Sequence, residues 1–175
     1  MKEKIQNHYH ISNPKEWFFN SFNSLVKNHM VSDVPVGVLL SGGLDSSSIC
    51  ASLKYQNFHD IKTFNVGVDN FIFDETSIAR EFTKSINFPF HTINVVGNDL
   101  VNQTKKALQS LDDSLIHQNE PQLIAISELA NKHVKVILSG EGADEMPGGY
   151  VRYKALNFYK NKRLLTLPHV LAPNF

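Results

Sequence analysis

The sequence predicts an α/β fold, a doubly wound parallel sheet with helices on both faces. Three observations carry that expectation. Apolar runs of strand length recur at residues 34–40, 61–68, 90–96 and 134–138. Segments with helical periodicity, about ten residues or longer, stand before and between them. The first run, Val34-Pro35-Val36-Gly37-Val38-Leu39-Leu40, is apolar almost throughout instead of alternating. A continuous run suits a strand buried on both faces, as parallel sheets require.

Each element has its own signal. Ser12-Asn13-Pro14 reads as a cap followed by proline at the first helical position, and Phe18, Phe22, Leu25 and His29 then recur at helical spacing. Residues 47–56 read as a helix that turns Cys50 toward the sheet, a core role for that thiol. A helix from about Glu75 carries Ile78, Ala79, Phe82 and Ile86 on one face. Residues 100–111 and about 122–132 read as two more helices. Sheets of this kind bind ligands in the crevice at the carboxyl ends of their strands. The turns after Leu40 and after Leu138 are therefore where function is expected.

Composition narrows the classes. The 175 residues suit one domain, and 42% hydrophobic with 19% charged residues is an ordinary globular mix. Lys plus Arg and Asp plus Glu are 17 each, so the basic excess expected of a nucleic-acid binder is missing. The twelve phenylalanines then read as core and interface filling, not base stacking. One cysteine forms no internal disulfide, and no apolar run has the length of a signal core or membrane helix. A cytoplasmic protein without nucleic-acid or membrane partners is expected.

After Leu40 comes Ser41-Gly42-Gly43-Leu44-Asp45-Ser46-Ser47-Ser48. Adjacent glycines allow close backbone approach, and the following helix offers its first N–H groups and positive dipole end to an anion. Four hydroxyls surround the same point. The same residues also suit an ordinary Gly-rich turn with a capped helix. No Walker loop, Gly-x-Gly-x-x-Gly or Gly-x-Ser-x-Gly is present, so those nucleotide and hydrolase motifs are excluded. The turn after Leu138 is Ser139-Gly140-Glu141-Gly142-Ala143-Asp144-Glu145-Met146-Pro147-Gly148-Gly149-Tyr150. Its clustered carboxylates suit either a solvated loop or a Mg²⁺ site near phosphate.

Ser41-Gly42-Gly43-Leu44-Asp45-Ser46-Ser47 resembles the pyrophosphate loop of the ATP-pyrophosphatase (PP-loop, adenine-nucleotide α-hydrolase-like) superfamily. With the preceding residues 31–40 and the turn after Leu138, the chain resembles the synthetase domain of glutamine-hydrolysing asparagine synthetases. The resemblance implies that Ser41, Gly42, Gly43, Ser46 and Ser47 cradle phosphates and that Asp45 and Asp144 hold Mg²⁺. It places Leu39, Val66, Ser139 and Gly140 beside the adenosine and Glu141, the catalytic candidate, next to the reacting acyl centre. It implies ATP and aspartate as substrates, β-aspartyl-AMP as intermediate, and a glutaminase domain or chain as the ammonia donor. Met146-Pro147 departs from the family's usual Leu-Phe, and proline there removes a backbone donor.

Weaker matches are Asp74-Glu75, Ala79-Arg80, His91 and the loop at 112–122. Alone, the Glu75–Arg80 region reads as a solvated helix face and His91 as a satisfied structural histidine. The expected domain is a truncated one, residues 1–175 with a core of about 13–160, lacking the glutaminase domain and the C-terminal helical part. The sequence leaves open a synthetase acting on another carboxylate, a nucleotide-binding remnant without chemistry, and a structural module.

Overall fold

Asn13 starts the chain's first helix, α1 (Pro14–His29): its side chain accepts the Glu16 N–H at 3.3 Å and donates back to the Glu16 carboxylate at 3.0 Å. This reciprocal cap satisfies one of the donors every helix start leaves over, and Pro14 sits where it needs no N–H. In the computed structural model, which describes residues 12–67, 75–111 and 119–143, eight further elements follow. They are β1 (Val36–Leu39), α2 (Leu44–Tyr55), β2 (Lys62–Gly67), α3 (Thr76–Ile86), β3 (Phe90–Asn94), α4 (Gly97–Leu111), α5 (Glu120–Ala130) and β4 (Val136–Leu138). No described helix is long and apolar enough to cross a membrane.

The strands form one parallel sheet in the order β3-β2-β1-β4. Leu39 is level with Phe64, and Phe64 with His91, while Val38 pairs with Leu138. Strand β1 begins at Val36 because Pro35 has no N–H to give the ladder. The Pro35 carbonyl instead accepts from Lys135 and Val136, which leads β4 in. Val134, expected in that strand, donates to Ala130 and belongs to the end of α5.

Alternation along β1 divides it between two cores. Val38 and Leu40 pack with Val26, Cys50, Leu53, Ile61, Ala79 and Phe88 under α1, α2 and α3. Leu39 turns the other way, joining Val66 and Ile93 around Phe64, Ile126, Ala130 and Val134 under α5. Helix α4 lies against α5. Helices thus cover both faces, and the doubly wound α/β expectation holds. Gly37 is required by this packing: a Cβ there would sit 2.6 Å from the Phe64 ring and 2.9 Å from the Lys62 carbonyl.

Some boundaries and faces differ from the expectation. Helix α1 buries Asn23 and Val26 and packs Phe22 and Met30 on the core, while Phe18 and Leu25 are exposed. The stripe is rotated because Asn23 is a core residue, accepting from Ser52 Oγ at 2.6 Å and donating to the Phe19 carbonyl. An apolar count does not see it. In α3 the expected Ala79, Phe82 and Ile86 pack on the core with Thr83, and only Ile78 departs from the expected face, being exposed. Arg80 is exposed, as expected of a solvated helix face, and its guanidinium also lies over the Phe90 ring at 5.0 Å.

The chain divides into two compact units, Met1–Gly140 and Glu141–Phe175. The sheet and all the helices above belong to the first. Within it the strand order reverses between β1 and β4, so the crevice at their carboxyl ends is the topological switch point where open α/β sheets take ligands.

Candidate functional site

The loop after β1 is built by its own side chains. Leu40 still pairs with β2, its N–H donating to the Phe64 carbonyl at 2.8 Å. The chain then turns through Gly42, whose φ of +103° is a left-handed conformation that strains any residue with a Cβ. A Cβ at Gly42 would also stand 2.7 Å from the Glu75 carbonyl, so the loop rests directly on the start of α3. Gly43 has extended backbone and is the N-cap of α2, with no side-chain hydrogen bond capping the helix. Helix α2 starts at Leu44, ahead of the expected residue 47, because Gly43 itself serves as the cap. Asp45, Ser46 and Ser47 therefore lie in its first turn.

This placement separates the hydroxyls by task. Ser46 is buried; its Oγ accepts the Ser41 N–H at 3.2 Å, lies 3.0 Å from Ser41 Oγ and donates to the Gly43 carbonyl at 3.3 Å. Ser41 Oγ in turn accepts the Gly43 N–H at 3.1 Å. These two serines brace the loop from inside. Ser48 donates to the Leu44 carbonyl, an ordinary bond within the helix. Asp45 points outward: it is exposed, and among the described residues no hydrogen bond or ion pair engages its carboxylate. An uncapped helix start with a left-handed glycine before it and a carboxylate in its first turn is an arrangement for an anion and its counter-cation.

Other expected residues fall in the same quarter of the fold. A Cβ at Gly140 would lie 3.1 Å from the Ser46 nitrogen and 3.2 Å from Asp45 Cβ, so the turn after β4 reaches the first turn of α2. Ser139 is exposed beside it. Leu39 and Val66, on adjacent strands, share the α5 face of the sheet as a partly buried apolar wall. Glu141 opens the second unit. Asp144, Asp74, the Met146-Pro147 departure and residues 112–118 lie outside the described residues. Among those described, no three His, Cys, Asp or Glu side chains cluster as metal ligands.

His91 is not at the loop. It sits on the α5 face, stacked on Phe64 at 5.3 Å with His133 at 4.2 Å, and its buried Nε2 has no hydrogen-bond partner among the described residues. The expected satisfied histidine is thus held by ring stacking, with its Nε2 left without a hydrogen bond among the described residues. Burial, then the neighbouring His133 and Lys62, hold it below the ordinary imidazole value. Cys50 is a core residue as expected, its thiol pushed up to about 12 by burial.

One residue at the loop was not among those the sequence singled out. Asn65, 2% exposed in the middle of β2, donates from Nδ2 to the Leu40 carbonyl at 2.8 Å. Its Oδ1 accepts from Thr76 Oγ1 at 3.0 Å and from Thr92 Oγ1 at 3.3 Å. A buried polar residue in an apolar strand was the available hint, but its partners are set by the register.

Fold and loop together define an α/β protein with a glycine-turned, uncapped helix start at the switch point of its sheet, an arrangement suited to an anion. Similar folds include the NMN synthetase of Francisella tularensis (TM-score 0.53, 19% identity, 79% of this chain and 59% of that one). The NH3-dependent NAD synthetase of Campylobacter jejuni is comparable (TM-score 0.54, 10% identity, 77% and 60%). At the sequence level the asparagine synthase family model matches residues 20–172, and the chain belongs to that family. It is 40% identical over 130 residues to asparagine synthetase [glutamine-hydrolyzing] 1 of Bacillus subtilis, covering 74% of this chain and 20% of the relative. It is 31% identical over 144 residues to asparagine synthetase B of Escherichia coli, covering 73% and 26%. The chain thus spans about a fifth to a quarter of the length of these relatives.

Proposed function

We propose that residues 13–160 form the ATP-pyrophosphatase core of an amide-forming synthetase that activates the side-chain carboxylate of aspartate. The observation that carries this is the uncapped start of α2 behind Gly42, with the exposed Asp45 in its first turn at the switch point. The N–H groups of that turn, with Gly43 and Ser47, cradle the β and γ phosphates of ATP. Ser41 and Ser46 keep the cradle open by bracing the loop, so Ser46 meets the anion through its N–H and not its hydroxyl. Leu39 and Val66 supply an apolar wall for the adenine side, with the backbone of Ser139 and Gly140 closing on it.

The donor set fits Mg²⁺. Asp45 offers a hard oxygen with no protein partner among the described residues, and Mg²⁺ commonly takes one or two carboxylates together with substrate phosphates. The family resemblance supplies Asp144 as a second carboxylate for the cation. When bound, the cation neutralises charge on the departing pyrophosphate. The aspartate carboxylate attacks the α-phosphorus, the bond to the bridging oxygen breaks, and β-aspartyl-AMP and pyrophosphate result. Ammonia from a glutaminase domain or chain then displaces AMP, with Glu141 beside the acyl carbon. The protein's part is mainly positioning and charge stabilisation.

The test is ATP–pyrophosphate exchange by the purified chain with Mg²⁺, with and without aspartate. Aspartate-dependent exchange is the expected result. Exchange stimulated by a different carboxylate but not by aspartate would redirect the substrate assignment. ATP binding with no exchange under any condition would remove the catalytic reading.

A further inference from the structure

The polar network behind the loop reaches further than the loop itself. Leu40 is the last residue of the β1 run, and its carbonyl stands where the chain leaves the sheet for Ser41. That carbonyl can only accept, so the Asn65 nitrogen must face it, and the amide oxygen is left for the two threonine hydroxyls. One planar group thereby joins the end of β1, the first residue of α3 and the middle of β3. The surroundings are close-fitting: a Cβ at Gly67 would collide first with the Asn94 side-chain oxygen and then come to 3.0 Å from Thr76 Oγ1, so the glycine clears space for both side chains. Thr76 follows Glu75, and Glu75 is the residue on which Gly42 rests. Both ends of the loop's support, the carbonyl before Ser41 and the helix start beneath Gly42, are thus held by the same side chain.

We propose that Asn65 is the positioning residue of the phosphate loop, setting its height over α3 by bridging the Leu40 carbonyl and Thr76. Asn65 touches neither nucleotide nor metal. It acts on the loop's shape, and its effect on ATP rests on the reading given under Proposed function. A purely structural core residue would, when changed, loosen the whole sheet evenly. A positioning residue loosens the loop first.

Two near-isosteric variants separate these cases. Asn65→Asp removes the donor to Leu40 while keeping oxygens for the threonines; Thr76→Val removes one hydroxyl and leaves Asn65. In each variant of the 175-residue chain, native-state hydrogen exchange compares the Ser41 and Gly43 amides with the Thr63 amide. Thr63 donates to the Pro89 carbonyl, away from the loop. Titration with ATP and Mg²⁺ is run alongside. The loop amides are expected to exchange about tenfold faster relative to Thr63, and the Kd for ATP to rise by about tenfold, as the loss of one or two net hydrogen bonds implies. Loop and Thr63 amides moving together, or neither moving, overturns the proposal. So does an unchanged ATP affinity in a variant with a loosened loop. Should Asn65→Asp fail to fold, Thr76→Val decides alone. Should the wild-type chain bind no ATP, the nucleotide reading falls and the exchange ratios still decide the loop's dependence on Asn65.

Discussion

Asn65 and His91 are neighbours in the sheet, one strand apart, yet they face opposite sides and live by different rules. On the α2–α3 face the Asn65 amide uses three of its bonding positions on strand end, helix start and neighbouring strand. On the α5 face the His91 ring is held by stacking against Phe64 and His133, with one nitrogen left unpartnered among the described residues. The first arrangement specifies a geometry; the second fills a volume. An amide is neutral but always presents donors and an acceptor, and is costly when these are unmatched in the interior. An imidazole can stay uncharged and tolerates an apolar stack. Phosphate binding is therefore expected to depend on the loop face, while the α5 face, apart from the Leu39 and Val66 wall, is expected to govern stability.

The largest expected effect is Asp45→Ala. It should lower ATP–pyrophosphate exchange by about 100-fold or more, the scale of losing one preorganised charge-stabilising group. It should shift the melting midpoint by only a few degrees, since a carboxylate in a first helical turn contributes ~0.3–1 kcal/mol. Full exchange in this variant would break the comparison outright.

Two glycines sharpen it. Gly42→Ala forces a left-handed φ on a Cβ that also meets the Glu75 carbonyl, and is expected to cost ~1–3 kcal/mol and weaken ATP binding. Gly37→Ala crowds the Phe64 ring and the Lys62 carbonyl on the far face and costs ~1–3 kcal/mol by overpacking. Its Kd for ATP, measured below the melting transition, should match the wild type. A loss of ATP affinity at Gly37 as large as at Gly42 would show that the two faces are not separable.

A smaller effect is a pH dependence. His91 has a folded pKa below its unfolded value, so the unfolded chain binds more protons in the interval between them and stability rises with pH there. The contribution is complete above about pH 6.5, the ordinary histidine value, and is lost as pH falls through the folded pKa. His91→Phe should flatten this slope in urea melts while leaving exchange activity unchanged. The smallest effect concerns Cys50. With its thiol pushed up to about 12 and its side chain in the core, native protein should resist iodoacetamide at pH 8 and react only on unfolding.

The strand pattern, the helix count and the position of the loop could be read from residues alone, because parallel α/β sheets write long apolar runs into the chain. The loop at Ser41–Ser47 was legible for the same reason, standing directly after one such run. What could not be read were roles that depend on register. Ser46 looks like its neighbours Ser47 and Ser48 in the sequence, and only the start of α2 at Leu44 turns it inward to the loop. Asn23 and Asn65 break apolar patterns, which marks them as odd but does not name Ser52, Leu40 or Thr76 as partners. The meeting of His91 with His133 follows from β3 and the end of α5 approaching the same ring, Phe64, a relation no local window contains.

The position of β1 at the centre of the sheet also orders events in time. Gly37 pairs with Lys62 on one side and Ile137 on the other. Closing the second pairing spans a loop about four times longer, an entropic difference of about 1.2 kcal/mol. Pairings of greater sequence separation slow the search for the native state. The β1-β2-β3 half, with Asn65 and the serine-braced loop, can therefore assemble while the rest of the chain is still being synthesised. Gly140 is carried to the first turn of α2 only when β4 docks. A ribosome-bound chain ending shortly after Lys132 would therefore hold the residues of the loop and its Asn65 support but not the Gly140 turn that meets the first turn of α2.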